Sequence, residues 1–180
     1  MTNRQTKFLE LLFLAEGGLN SSTKSVDKGG LTKYGISLKF LKITGLDLNQ
    51  DGVINENDVK SLTKDQAEAI YLKYFYSPHL ENINDAYIAF KLFDLGVNMG
   101  AARPTKWIQH IVNTHSSGYP LKLDGVIGPK TVKAINNAKF NLYWAFIDRA
   151  EQFYKTIAKK EQKIFLKGWL NRLEKFPNLI

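Results

Sequence analysis

Two carboxylates near the N-terminus stand out for what they could do together. Glu16 follows the apolar run from Phe8 to Ala15 and is followed at once by Gly17 and Gly18; Asp27 comes later, in a polar stretch that continues into Gly29-Gly30-Leu31-Thr32. A carboxyl at the end of an apolar helix loses much of its water and resists ionisation, so its pKa rises toward about 6 and it can donate a proton near neutral pH. Paired glycines let the chain turn without steric cost and leave room for a ligand. Asp27, in polar surroundings, supplies a second carboxylate that stays ionised. One protonated acid facing one carboxylate is what acid–base cleavage of a sugar acetal needs. By itself, a Glu-Gly-Gly triplet is also compatible with a solvated surface glutamate, and Asp27 with a turn-forming aspartate.

The elements that must position these groups read as mainly helical. Phe8, Leu11, Leu12 and Ala15 mark one face of a first helix. Ser21 to Ile36 is polar and glycine-rich, with short extended pieces expected around Thr32 to Ile36. Ser37 opens a short apolar helix. Thr63 and Gln66 form a capping box for a helix carrying Ala67, Ile70, Tyr71, Tyr74 and Phe75, which Pro78 stops. Further helices are expected over Asp85–Asn98, Pro104–Asn113, Thr131–Ala138 and Phe140–Lys159, with a last one running to Lys175. In the long one, Phe140, Trp144, Ile147, Tyr154 and Ile157 mark the expected stripe. No repeat or low-complexity linker separates the halves. The fold class is therefore mainly α, with a small β element near residues 30–36.

The net charge of +8 suits an anionic partner such as a cell wall, nucleic acid or anionic lipid. No nucleic-acid recognition motif accompanies the charge, so nucleic acid is not expected as a partner. There is no cysteine, which excludes disulfides, thiolate catalysis and Cys-ligated zinc. His79, His110 and His115 are scattered and do not form a transition-metal cluster. No apolar run approaches the roughly 18 residues of a membrane span, and no membrane insertion is expected. Arg4 and Lys7 ahead of Phe8–Ala15 could suggest a secretory signal, but Glu10 interrupts the run; an amphipathic helix is the better reading.

The wider pattern around the acid is more specific than the triplet. Glu16-Gly17-Gly18 followed by Asp27-Lys28-Gly29-Gly30-Leu31-Thr32-Lys33-Tyr34-Gly35-Ile36-Ser37 resembles the signature of glycoside hydrolase family 108, the lysozyme-like muramidases also labelled secretion activator proteins. The resemblance continues through Leu62-Thr63, Ala67 to Tyr71, Phe93-Asp94-Leu95-Gly96-Val97-Asn98-Met99-Gly100 and Phe165-Leu166-Lys167-Gly168-Trp169-Leu170-Asn171-Arg172. It implies a lysozyme-like helical fold. It also implies that Glu16 is the acid that hydrolyses the β-1,4 bond between N-acetylmuramic acid and N-acetylglucosamine. Asp27 and Thr32 sit roughly where more distant phage-type lysozymes carry a second carboxylate and a water-handling threonine. Tyr34 is the expected sugar platform, with Gly17 and Gly30 making room for substrate, and Lys24, Lys28 and Lys33 near it. A carboxyl separation of about 6.5–9.5 Å would give inversion and about 5–5.5 Å a covalent intermediate; the expectation here is inversion. A lytic transglycosylase, a chitin-type hydrolase and a non-catalytic wall-binding module remain alternatives. The expected partner is bacterial peptidoglycan, and the expected state a monomer. Without a signal peptide, the chain would be made in the cytoplasm and act on the wall after release, as a phage endolysin does.

Two further motifs carry expectations. Asp47, Asn49, Asp51, Val53 and Asp58 have the spacing of an EF-hand-type loop, with Gly52 at the sharp turn and Asp58 in place of the usual glutamate. This allows a structural Ca2+, with no catalytic cofactor; a metal-free Asx-turn loop is the alternative. Asp124-Gly125-Val126-Ile127-Gly128-Pro129-Lys130-Thr131 resembles the motif of peptidoglycan-binding helical modules. Phe140, Tyr143, Trp144, Trp169 and Phe176 are read as core rather than sugar platforms. The expected organisation is a catalytic lobe over 1–92, carrying the 47–58 loop, and a helical lobe over 93–180.

Overall fold

The computed structural model describes residues 1–15, 31–115, 118, 120–158 and 163–174. The chain forms two compact units, Met1–Tyr74 and Phe75–Ile180. It is mainly α and lysozyme-like, with a single small two-stranded sheet among the described residues.

The first unit opens with α1 (Asn3–Ala15). Thr2 and Gln5 start it with a reciprocal box: the Gln5 N–H donates to the Thr2 hydroxyl (3.1 Å), and the Thr2 N–H to the Gln5 amide oxygen (2.9 Å). Phe8, Leu9, Leu11, Leu12 and Phe13 are all buried, a wider apolar arc than the expected face. The hairpin β1 (Thr32–Lys33) and β2 (Ile36–Ser37) pairs Thr32 with Ser37 and Lys33 with Ile36. Both turn residues, Tyr34 (φ 51°) and Gly35 (φ 77°), are left-handed, as a two-residue hairpin turn requires. Ser37 caps α2 (Leu38–Thr44), accepting from the Phe40 N–H, and Gly45 at φ 69° ends it. The short α3 (Glu56–Ser61) leads to α4 (Lys64–Tyr74), which starts at the expected Thr63–Gln66 box. The α1 helix packs on α4, and α3 packs on β1 and α2.

The second unit is built around α5 (Ala86–Met99), capped by the Asp85 carboxylate and buried over most of its circumference from Ile88 to Gly96. A 3-10 helix (Pro78–Asn82) and α6 (Ala102–His115) pack on it. Next come α7 (Pro129–Asn136), α8 (Leu142–Ala158) and α9 (Lys163–Glu174), with α8 packed on α5, α6 and α9. The junction expected after residue 92 lies inside α5, where a continuous helix and no linker runs. The stripe expected on α8 is also displaced. Phe140 precedes the helix, Trp144 is 63% exposed, and the buried face is Leu142, Phe146, Ile147, Ala150, Tyr154 and Ala158. Asn141 begins the helix by accepting from the Trp144 N–H (3.2 Å), which sets a different rotation from the one read off the aromatic residues.

Buried charge ties α5 to α9. Arg172 donates to the fully buried Asp94 carboxylate through Nε (2.9 Å) and Nη2 (2.8 Å). Lys91, also buried, donates to the Arg172 carbonyl (2.8 Å) and stands 3.9 Å from the second Asp94 oxygen. Burial pushes the Lys91 ammonium down to about 8, opposed by Asp94 and reinforced by Arg172.

Removing one partner of a buried pair strands the other charge, so Arg172→Leu should lower unfolding stability by about 3 kcal/mol, read from the urea midpoint. Lys91 adds a pH signature. Between about 8, its folded pKa, and about 10.4, its unfolded value, the unfolded chain binds more protons, so this residue makes stability rise with pH. Lys91→Met should flatten that rise in melts across the same window.

Candidate functional site

Glu16, Gly17, Asp27 and Gly30 lie outside the described residues. The frame on either side of them is described: the last turn of α1 and the hairpin starting at Thr32. The Phe13 ring meets Tyr34 edge-on at 6.0 Å and Tyr71 edge-on at 5.9 Å. The Tyr71 hydroxyl donates to the Tyr34 carbonyl (2.8 Å), holding the turn in its left-handed form. A non-glycine residue at positive φ costs on the order of 1–3 kcal/mol and persists where its surroundings enforce it, often at functional sites. Phe13 and Tyr71 are buried, whereas Tyr34 is half-exposed. The frame is thus apolar underneath and presents an aromatic side chain at its edge.

Thr32 is half-buried and occupies the first pair of the sheet, opposite Ser37. Lys33, expected to help attract an anionic polymer, is otherwise engaged: its ammonium donates to the Lys60 carbonyl (2.7 Å) and lies 5.8 Å from the Tyr34 ring centre. The Lys64 ammonium lies 5.6 Å from the Phe13 ring centre and pairs with Glu68 at 3.3 Å.

The 47–58 loop is closed by its own hydrogen bonds. Asp47 accepts from the Gln50 and Gly52 N–H groups (2.7 Å each). Asn49 accepts from the Asp51 N–H (3.1 Å), Asp51 from the Val53 N–H (2.8 Å), and the Val53 carbonyl from the Asn55 amide (3.2 Å). Asp58, the position that would close a calcium cage, is buried and caps α3 instead, accepting from the N–H groups of Asn55 (2.8 Å), Leu48 (2.8 Å) and Asn49 (3.3 Å). Those donors, Asn55 first, hold its carboxyl below the ordinary range against the opposing effect of burial. Among the described residues no cluster of three or more His, Asp or Glu side chains converges as a cation site. These bonds are the ones a metal-free Asx-turn loop makes, and the same five residues keep their side-chain and carbonyl oxygens within one short loop.

In the second unit the Asp124–Thr131 motif is organised by a residue that sequence reasoning passed over. The buried Gln109 amide, on α6, donates to the Asp124 carboxylate (2.9 Å), the Val126 carbonyl (3.1 Å) and the Thr131 hydroxyl (3.3 Å), and accepts from the Gly125 N–H (3.1 Å). Gly125 is required twice over. Its φ is 79°, and a Cβ there would come within 2.9 Å of Ala102. The motif's Asp, first Gly and Thr are therefore the three ends of one buried amide's network. A buried Gln opposite an Asp-Gly turn is hard to identify from sequence, because Gln is common on helix surfaces.

Comparison with known proteins places these units. Residues 9–100 match the family model described as glycosyl hydrolase 108, and residues 103–174 match one described as a predicted peptidoglycan domain. The structure of Brucella abortus SagA is similar to this chain, at 26% identity and a TM-score of 0.73, over 95% of this chain and 90% of that one. No curated protein matches the chain.

Asp58→Ala should lower the melting temperature, and millimolar calcium should not restore it. Because the folded pKa of Asp58 is depressed, its contribution is full above the unfolded value of about 3.9 and is lost as pH falls through the folded one. Asp58→Asn should therefore show a shallower acid limb in pH-dependent melts.

Proposed function

Because the chain belongs to glycosyl hydrolase family 108, we propose that it is an N-acetylmuramidase that cleaves the β-1,4 bond between N-acetylmuramic acid and N-acetylglucosamine, with Glu16 as general acid. The two family matches support a glycoside hydrolase acting on peptidoglycan. The observation that carries the muramidase reading is the aromatic frame of Phe13, Tyr34 and Tyr71 beside the last described turn of α1. Glu16 is next in the chain after Ala15, the last described residue of that helix. Apolar surroundings disfavour the carboxylate form of an acid. A general acid working near neutral pH needs that effect.

In the reaction, protonated Glu16 donates to the glycosidic oxygen as the bond to the anomeric carbon breaks and positive charge builds on the sugar. Asp27 stabilises that charge or takes a proton from the attacking water, which Thr32 helps to hold. Tyr34 offers its ring to a sugar face, and Gly17 and Gly30 leave space for the chain of rings. Water attack from the opposite face gives inversion. No step calls for a metal or other cofactor. The chain works as a monomer, made in the cytoplasm and acting on the wall after release.

Glu16→Gln keeps the shape and removes the proton. Turnover on purified sacculi should fall about 10²–10⁴-fold with wall binding intact. Surviving activity would remove Glu16 from the mechanism. Mass spectrometry of the parent's fragments should give reducing muramic-acid ends; anhydro ends would establish a transglycosylase, and equal turnover of chitin oligomers would overturn the muramidase assignment. Asp27→Asn and Thr32→Val should each lower kcat more than they raise KM, since both residues act after binding.

A further inference from the structure

A cleft of about 1100 Å³ lies within the second unit, between the C-terminal end of α6, the 120–124 segment and α7. That is larger than the other cavities described in this unit, at about 230, 560 and 430 Å³, and at the upper end of the roughly 300–1,000 Å³ typical of ligand sites. Lys122, Lys130, Lys133 and Lys139 line it, together with His115 and Phe140. From residue 120 to 140 the chain carries these four lysines and one carboxylate, Asp124. That carboxylate is occupied by Gln109 and by the Val126 N–H (2.9 Å). Hydrogen bonding from Gln109, then from Val126, with the Lys122 charge nearby, holds its carboxyl below the usual range against the opposing effect of burial. Among the described residues, no carboxylate pairs with Lys130, Lys133 or Lys139. The His115 ring stacks on Phe140 with centroids 4.3 Å apart, and its Nδ1 lies 2.9 Å from the Ile111 carbonyl, which fixes a flat wall at one end.

Uncompensated ammonium groups around a concave floor are a receptor for negative charge. A glycan backbone offers hydroxyls and acetamides and no charge, so it gives such groups little to bind. In peptidoglycan the negative charges are the carboxylates of the peptide stems, and this region matches a peptidoglycan domain. We propose that the cleft binds the carboxylates of the peptidoglycan stem peptide, so that this unit grips the peptide rather than the sugar chain. The inference rests on the reading of peptidoglycan as substrate. The Gln109 network makes the site rigid: it fixes the loop carrying Lys122 and the start of α7, which bears Lys130 and Lys133, without using any of the lysines. Binding should weaken with salt, as expected for exposed charges.

The test is calorimetric titration of the full-length Glu16→Gln chain with a disaccharide-tripeptide and with the same disaccharide stripped of its peptide. The peptide-bearing fragment should bind at least about tenfold more tightly. Lys130→Glu with Lys133→Glu should abolish the difference, while Lys155→Glu, on α8, should preserve it. Melting curves of each variant identify a folding failure; in that case Lys130→Gln with Lys133→Gln replaces the charge reversal, and an undiminished preference for the peptide-bearing fragment would refute the proposal. Equal binding of the two fragments refutes it too, as does equally tight binding of a phosphate-bearing wall polymer in place of the peptide. Wall hydrolysis by the parent chain is measured separately: lysis without peptide-dependent binding sinks only this inference, and binding without lysis sinks only the muramidase assignment.

Discussion

One hydrogen bond, from the Tyr71 hydroxyl to the Tyr34 carbonyl, sets the geometry on which the first unit's hairpin depends. Tyr34 sits where a side chain is costly, at positive φ, and a hairpin of two residues per strand has too few ladder bonds to enforce that conformation alone. Tyr71 comes from α4, and Phe13, from α1, closes the triangle by meeting both rings edge-on. Three elements distant in sequence thus fix one turn. The same packing buries Phe13 and Tyr71, so the triangle that fixes the turn is also part of the first unit's apolar core.

The second unit uses buried polar groups for a similar end. Gln109 satisfies its amide entirely within the Asp124–Thr131 motif, and Asp94 is held by Arg172 from the far end of the sequence. Neither group is cheap to bury, and one Asp94 oxygen has no hydrogen-bond partner. What such groups supply is specificity of arrangement. An apolar contact tolerates sliding, whereas an amide with four partners or a guanidinium donating twice to one carboxylate oxygen does not. That the Asp94 and Arg172 positions both fall in stretches resembling the family's motifs follows from this pairing, since neither residue is tolerable alone in the interior.

The helices were legible because their signals are local. Thr63–Gln66, Ser37, Asp85 and the prolines at 78 and 129 act within one turn, and each element begins or ends where those residues place it. The small β element near residues 30–36 was legible as extended pieces, whereas the left-handed turn at Tyr34 and Gly35 that makes it a hairpin was not. Illegible features depended on contacts remote in sequence. The rotation of α8 was misread because aromatic residues were taken as buried, while the helix presents Trp144 to solvent and buries small residues such as Ala150 and Ala158. The 47–58 spacing picked out a set of oxygen-bearing residues but could not show the N–H groups that the Asp47, Asn49, Asp51 and Asp58 side chains accept from. The cleft lysines were passed over because lysines 122, 130, 133 and 139 follow no helical or strand period; only the fold collects them. Of the candidate site itself, Thr32 and Tyr34 fall in the described frame, and Glu16, Gly17, Asp27 and Gly30 lie outside it.

A general acid such as the one proposed constrains where cations can stand. A cation within about 4–6 Å of a carboxyl lowers its pKa by roughly 1–3 units, which would strip a general acid of its proton at neutral pH. A strongly basic protein with such an acid must keep its free ammonium groups away from it or occupy them. Among the described residues of the first unit, Lys33 is turned to a backbone carbonyl, Lys60 and Lys64 pair with Glu56 and Glu68, and Lys73 lies over the Tyr74 ring. In the second unit, Lys130, Lys133 and Lys139 line one cleft with no carboxylate partner among the described residues. Attraction for an anionic wall and retention of a catalytic proton make opposite electrostatic demands. A chain that used charge to grip the peptide in one unit and kept its acid in the other would meet both, whereas a single site performing both tasks would weaken each.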